Sequence, residues 1–203
     1  MIDRFLYPPL SRLLRPVAAR LAAAGVGADQ ITLAGFAAGL LAVPALAAGW
    51  FLVALACILA NRLADGLDGA VARLTGPTER GAFLDVALDF FFYAAVPFGF
   101  ALADPGANAL PAAALLLGFV GTGSSFLAFA SVAAKRGLRA EAYPGKGLFY
   151  LGGLTEGFET IAVFAAMCLF PAAFPWLAWA FAAACLVTTA TRWLAGWRAF
   201  GEG

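Results

Sequence analysis

Four aspartates lie within 25 residues of one another in a chain that is otherwise strongly apolar. Asp65 and Asp68 are three residues apart, and Asp85 and Asp89 are four apart, so each pair shares one face of a helix. A carboxylate inside a bilayer is costly, and ionisable residues in membrane segments are candidates for a functional site. Convergent carboxylates repel one another unless cations neutralise them, and oxygen ligands suit Mg²⁺, Mn²⁺ or Ca²⁺. The pattern therefore predicts a site for divalent cations.

Four carboxylates can supply a two-metal site, which clamps a phosphate group during in-line displacement. Gly66, Gly69 and Gly81 leave room beside the acids for a ligand or a neighbouring helix. Histidine is absent from the sequence, so a general base must be a carboxylate, a lysine or a tyrosine. Two alternatives stay open at this point: polar helix packing with Arg62 and Arg73, and a transport path for protons or cations.

The composition indicates an integral membrane protein. Of the 203 residues, 63% are hydrophobic and only 12% are charged, against about 25% charged in soluble domains. We expect an all-α, polytopic fold in a single membrane domain, residues 1–203, with six transmembrane helices in residues 30–199. Asp29 is expected to cap the first of them. The expected spans are 30–49, 51–75, 79–102, 108–135, 147–170 and 174–199.

Residues 1–25 predict an amphipathic helix that lies in the membrane interface. Arg12 and Arg15 fall on one face, where they can reach lipid phosphates. The opposite face is apolar, because its residues recur with helical spacing, namely Leu10, Leu13, Leu14, Val17, Ala18 and Leu21.

The basic residues favour six spans. All 13 lysines and arginines fall on one side of this scheme, whereas the turns near 48–51, 103–108 and 170–175 contain none. The positive-inside rule then places both termini and the 76–78 and 136–146 loops in the cytoplasm. An odd number of spans would divide these basic segments between the two sides of the membrane.

The two acid pairs are expected at the same depth. A tight turn at Gly76-Pro77-Thr78 joins the second and third spans. At a rise of about 1.5 Å per residue, the acids of each pair lie roughly 10 and 15 Å below that turn. The four carboxylates can therefore converge on one point near the cytoplasmic side.

The run from Asp65 to Asp89 resembles, position for position, the signature of the CDP-alcohol phosphotransferases (CDP-alcohol phosphatidyltransferases), which are membrane enzymes that make phospholipids. The resemblance extends over most of the chain, and the segment 29–32 looks like the family's element at the start of the first span. Residues 121–125 and 152–157 look most like an uncharacterised bacterial inner-membrane branch. The signature positions are Asp65, Asp68, Gly69, Ala72, Arg73, Gly81, Asp85 and Asp89.

The resemblance implies a reaction and a role for each matching position. A phosphatidyl group would move from CDP-diacylglycerol to the hydroxyl of a small polar alcohol, with release of CMP. Two divalent cations, Mg²⁺ or Mn²⁺, would be held by Asp65, Asp68, Asp85 and Asp89, and Asp89 would also be the general base. The CDP moiety would contact Thr32, Asp68, Gly69, Ala72, Arg73 and Gly81.

The sequence leaves two other functions open. A CDP-linked alcohol could instead deliver its phosphoalcohol to diacylglycerol, and a cation or proton transporter is the alternative from another functional class. The resemblance implies a homodimer in contact with membrane lipid, with no nucleic-acid partner. It also implies a bacterial inner membrane with the active site facing the cytoplasm. Small residues such as Gly118, Gly121 and Ser125 could serve helix contacts or a dimer seam.

The acceptor alcohol has two kinds of candidate residue. Lys135, Arg139 and Arg192 could hold a phosphorylated acceptor, or they could only set the topology. Glu156 and Glu159, expected on one face of the fifth span, could receive a cationic alcohol, or they could pair with Arg192.

Overall fold

The structure is a computed structural model that describes residues 3–137 and 153–201, with side chains from residue 12 onwards. In these ranges the chain forms eight α-helices and one 3₁₀ turn, at residues 171–173, and no strand. The helices are α1 (Asp3–Ala23), α2 (Ala28–Leu40), α3 (Ala42–Ala47), α4 (Phe51–Thr75), α5 (Glu79–Ala103), α6 (Pro105–Lys135), α7 (Gly157–Leu169) and α8 (Phe174–Phe200).

Four segments of the described chain are long and apolar enough to cross a membrane. They are Ala28–Ala47, Glu79–Ala103, Pro105–Lys135 and Pro171–Phe200. Helix α4 has 25 residues but also carries the charges of the acid site, and α7 has 13 residues. The all-α architecture with several membrane helices is therefore confirmed, while the spans expected at 51–75 and 147–170 stay predictions.

Helix α2 begins at Ala28, two residues earlier than the sequence suggested. Gly27, in an extended conformation, is the N-cap, and its backbone N–H donates to Oε1 of Gln30 at 3.0 Å. The expectation that Asp29 caps this helix was wrong. Its carboxylate accepts from Nε of Arg80 in α5 at 2.6 Å instead, because an opposite charge from a distant helix offers it a stronger partner.

Helix α2 packs against both α4 and α5 and brings the three together. The approach to α4 is close at Gly39, where a Cβ would lie 2.9 Å from Cβ of Asn61. Asn61 is buried, and its side-chain amide donates to the backbone oxygen of Gly35 at 3.1 Å. These contacts fix the α4 turn that carries the acid site against α2.

Helix α1 lies against α4. Leu14 and Ala18 are buried with Ala70 and Val71 of α4. Leu13, expected on the same apolar face, is 73% exposed, because the buried side of the helix is narrower than the sequence pattern indicated. A protein-facing stripe and an exposed apolar stripe thus share this helix, and its location in the membrane interface stays a prediction.

Helices α6 and α8 are packed through small residues. A Cβ on Gly118 would lie 2.8 Å from Cβ of Cys185, and one on Gly121 would lie 2.7 Å from Oγ1 of Thr189. Ser125 is buried and donates to the backbone oxygen of Thr122 at 3.1 Å. Gly118 and Gly121 therefore serve contacts within the chain, which is the first of the two alternatives that the sequence left open.

Candidate metal and nucleotide site

A cavity between α2, α4 and α5 brings together all four aspartates of the signature. The acids occupy successive turns of α4 and α5, while α2, on which the resemblance had named Thr32, forms a third wall. The lining residues are Thr32, Phe36, Asn61, Arg62, Asp65, Asp68, Asp85, Leu88 and Asp89.

Three of the four carboxylates form a compact group. One oxygen from each of Asp65, Asp68 and Asp85 lies within 4.8 Å of the other two. Metal–oxygen bonds are about 2.0–2.6 Å long, so one cation can contact oxygens at that separation. Carboxylate oxygens suit Mg²⁺ and Mn²⁺, and the three side chains therefore fit a divalent metal ion. This group is called the three-acid group below.

The fourth carboxylate, Asp89, is held by Arg62. Nη2 of Arg62 lies 2.6 Å from Oδ1 of Asp89, and Nη1 lies 3.3 Å from Oδ2, so the guanidinium contacts both oxygens. Nη1 also lies 3.7 Å from Oδ2 of Asp65. Arg62 thus stands between Asp89 and the three-acid group and contacts both.

Arg62 was not identified as a site residue from the sequence, where it was considered only for helix packing. Its side chain is 15% exposed, and its guanidinium carbon lies 5.2 Å from the Phe92 ring centroid and 5.4 Å from that of Tyr93. The signal that could have found it is its position three residues before Asp65, because that spacing puts both on one helix face.

Thr32 lies directly against the three-acid group. Its hydroxyl is 2.5 Å from Oδ2 of Asp68 and 3.1 Å from the backbone oxygen of Ala28. The contact fixes the orientation of the Asp68 carboxylate, because a hydroxyl donor on α2 meets an acceptor on α4.

The remaining signature positions surround the C-terminal end of α4 and the N-terminal end of α5. Arg73 is exposed, and its Nη1 would lie 3.2 Å from a Cβ on Gly69, so the side chain runs back towards the acids. At Gly81 a Cβ would lie 3.1 Å from Oδ1 of Asp29 and from Oγ1 of Thr78. Gly81 therefore allows the first turn of α5 to approach α2. Ala72 is half-buried on α4.

A second buried polar cluster lies where α6, α7 and α8 meet. Arg192 is 8% exposed, and its Nη1 donates to the backbone oxygen of Thr122 at 2.9 Å. Thr155 donates to the hydroxyl of Thr188 at 3.0 Å, which ties the segment before α7 to α8. The cluster consists of Thr122, Ser125, Thr155, Glu156, Thr160, Thr188, Thr189 and Arg192, all buried.

The glutamates of this region occupy a helix terminus. Glu156 is the N-cap of α7, and its backbone N–H donates to Oε2 of Glu159 at 3.3 Å in a reciprocal capping box. The expectation that Glu156 lies inside a helical span was wrong, because α7 begins only at Gly157, whereas Glu159 lies in the first turn of α7. Lys135 is exposed at the end of α6, and Arg139 lies outside the described residues.

The chain matches one family model and two named relatives. The model of the CDP-alcohol phosphatidyltransferases matches residues 26–191. Inner membrane protein YnjF of Escherichia coli is 56% identical over 174 residues, which cover 86% of this chain and 84% of that protein. Archaetidylinositol phosphate synthase of Methanothermobacter thermautotrophicus is 40% identical over 90 residues, or 44% of each chain.

Solved structures of one enzyme resemble this fold. Phosphatidylinositol phosphate synthase of Mycobacterium tuberculosis with CDP-DAG bound has a TM-score of 0.72 and 25% identity, over 92% of this chain and 94% of that one. The same enzyme in complex with manganese and citrate has a TM-score of 0.72 and 26% identity, over 91% and 88% of the two chains.

Proposed function

Because the chain belongs to the CDP-alcohol phosphatidyltransferase family and is therefore a membrane transferase of phospholipid biosynthesis, we propose that it moves the phosphatidyl group of CDP-diacylglycerol to a small polar alcohol. The observation that carries this proposal is the cavity in which all four signature aspartates meet. The relative with bound CDP-DAG supports the choice of a CDP-lipid as donor.

The aspartates of the cavity are proposed as the ligands of two divalent cations. Asp65, Asp68 and Asp85 would hold one divalent cation, and a second would be shared with Asp89. When bound, Mg²⁺ or Mn²⁺ supplies positive charge to the pyrophosphate, and the relative in complex with manganese supports that choice. Thr32 orients Asp68 towards this position.

Asp89 is proposed as the general base. It accepts the proton of the acceptor hydroxyl, whose oxygen forms a bond to the phosphorus that carries the diacylglycerol. The bond from that phosphorus to the CMP oxygen breaks, and CMP leaves. Gly69, Ala72, Arg73 and Gly81 would contact the nucleotide, and the Arg73 guanidinium lies beside Gly69, the residue after Asp68. Positioning and charge neutralisation are the main demands of phosphoryl transfer.

The acceptor is proposed to be a phosphorylated alcohol. Arg192 is a buried cation whose Nη1 donates to the backbone oxygen of Thr122, and Lys135 and Arg139 are the further basic candidates. Glu156 and Glu159 cap the N-terminus of α7, which reduces the case for a cationic alcohol. The two relatives whose names specify a product both make an inositol phosphate lipid.

We propose six membrane spans, a cytoplasmic active site and a homodimer in a bacterial inner membrane. With 25 residues, α4 would extend about 37 Å, and its Arg62, Asp65 and Asp68 line the cavity between neighbouring helices. The fifth span, predicted at 147–170, would contain α7, which has 13 residues. Cross-linking and two-sided labelling of single-cysteine variants in membranes would check both topology and dimer. Labelling of residue 104 from the cytoplasmic side would contradict the topology.

Reconstitution with radiolabelled CDP-diacylglycerol and Mg²⁺ or Mn²⁺ tests the function. Glycerol 3-phosphate, inositol phosphate, inositol, serine, choline and ethanolamine would be offered separately. We expect CMP release with one phosphorylated acceptor, and a KM for that acceptor raised about tenfold or more in Arg192→Gln with the KM for the donor little changed.

The matched control is Arg136→Gln, which removes another arginine of the α6–α8 pair. Arg136 donates to the backbone oxygens of Ala199 and Phe200 at 3.4 and 3.1 Å. Neither of these residues lines the acid cavity. Release with choline or ethanolamine would contradict the acceptor class. Release only when a CDP-linked alcohol and diacylglycerol are supplied would establish the opposite donor mode.

A further inference from the structure

The acid cavity holds two electrostatically different halves. In one half, Asp65, Asp68 and Asp85 present oxygens within 4.8 Å of one another. In the other half, the Asp89 carboxylate is already paired at both oxygens with Arg62. The two positions offered to cations are therefore unequal before any ligand arrives.

The guanidinium of Arg62 has no donor to spare for a substrate while this arrangement lasts. Arginine has five N–H donors. Nε and Nη2 point at Oδ1 of Asn61, at 2.9 and 2.5 Å, and Nη2 also reaches Asp89 at 2.6 Å. Nη1 is 3.3 Å from Asp89 and 3.3 Å from the Tyr93 hydroxyl. These contacts account for all five donors, so the arrangement suits Arg62 to fixing the Asp89 carboxylate.

The support behind Arg62 is itself fixed. Asn61 is 5% exposed, and its amide group donates to the Gly35 backbone oxygen of α2 at 3.1 Å. The orientation of the side chain follows from that bond, because the amide nitrogen is committed to α2 and the oxygen must face Arg62. Three helices, α2, α4 and α5, thus set where Asp89 points.

We propose that Arg62 is a positioning residue that fixes the Asp89 carboxylate and, through its charge, makes the cation position beside Asp89 weaker than the position in the three-acid group. The inference rests on the proposed function, because it assigns Asp89 to a shared metal position and to proton transfer. The positive charge of Arg62 lies within 4 Å of Asp65 and Asp89. It therefore lowers the affinity of the position beside Asp89 for a second cation. The three-acid group retains Asp68 and Asp85, which the described Arg62 bonds do not include.

The test is a titration of the full-length protein in detergent with Mn²⁺ alone, followed by calorimetry or by paramagnetic resonance of free Mn²⁺. Wild type is expected to bind one ion more tightly than the second. Arg62→Gln, which removes the charge, is expected to tighten the weaker position about tenfold. Arg62→Lys, which keeps the charge, is expected to stay within about threefold of wild type.

Measurement of kcat distinguishes the positioning effect of Arg62 from the effect of its charge. Lysine cannot reproduce the two-point contact with a carboxylate. Arg62→Lys is therefore expected to lower kcat about a hundredfold while the KM for CDP-diacylglycerol changes about threefold or less. Wild-type turnover in Arg62→Lys would overturn the positioning role. Arg136→Gln is the control, with the isotherm and kcat of wild type expected.

The possible results distinguish the inference from the proposed function. Identical Mn²⁺ isotherms for wild type, Arg62→Gln and Arg62→Lys would overturn the inference and leave the metal site standing. A lack of Mn²⁺ binding by the wild-type protein would overturn both. Arg62→Lys keeps the charge and much of the side-chain volume, so it provides the turnover test if Arg62→Gln does not fold.

Discussion

Asp89→Asn is expected to lower turnover by about a thousandfold, because an amide cannot accept the proton of the acceptor hydroxyl. The substitution keeps the shape of the side chain and leaves an oxygen for Arg62, whose Nη2 lies 2.6 Å from Oδ1 of Asp89. The three-acid group is unchanged, so affinity for CDP-diacylglycerol is expected to remain partly intact. Release of CMP in proteoliposomes and calorimetric titration with a soluble CDP ligand measure the two effects.

The control for Asp89→Asn is Asp104→Asn at the other end of α5. Asp104 caps α6, where its Oδ1 accepts from the backbone N–H of Ala107 at 3.1 Å. Its replacement is expected to preserve turnover. Normal turnover in Asp89→Asn would rule out Asp89 as the base, whereas an equal loss of CDP affinity and turnover would make Asp89 a ligand-binding residue only.

Asp68→Ala is expected to abolish metal-dependent nucleotide binding, with the affinity for a CDP ligand in Mn²⁺ falling about a hundredfold or more. Asp68 is the most buried member of the three-acid group, with 7% exposure, and its loss also leaves the Thr32 hydroxyl without this acceptor. Asp65→Ala should behave in the same way. Calorimetry in Mn²⁺ and in a chelator gives the comparison.

The chelator supplies an internal reference for Asp68→Ala. Wild-type protein in the chelator should bind the CDP ligand as weakly as the variant does in Mn²⁺, and added Mn²⁺ should restore only the wild type. Asp104→Ala serves as the matched loss of a carboxylate outside the cavity, with unchanged nucleotide affinity expected. An unaltered CDP isotherm for Asp68→Ala would show that the metal ions bind elsewhere.

The convergence of the aspartates could be anticipated because it depends on helical spacing and on one short turn. Residues three or four apart share a helix face, and a short turn places the two acid pairs at matching depth. Those two facts fixed Asp65, Asp68 and Asp85 as neighbours, and the structure brings them within 4.8 Å. Several helix bounds were also close, since α4 occupies Phe51–Thr75 and was expected at 51–75.

The parts that the sequence did not predict depend on contacts between distant segments. Arg62 was visible as a charge, but its contact with Asp89 depends on α2, which packs against both α4 and α5. Asp29 had the right residue type for a helix cap, yet Arg80, 51 positions away, determines its partner. Glu156 fell inside the span expected at 147–170, and only the structure shows that α7 begins after it.

The charges of α4 have a consequence for membrane insertion. This helix carries Arg62, Asp65, Asp68 and Arg73, and a charge at the centre of a lone helix costs about 2.5–3.5 kcal/mol on insertion scales. In α4, Asp68 accepts a hydrogen bond from Thr32 of α2, which is synthesised before α4. Arg62 of α4 pairs with Asp89 of α5, which is synthesised after it. We therefore expect α4 to wait at the translocation machinery until α5 has emerged, and the three helices to enter the lipid as one group.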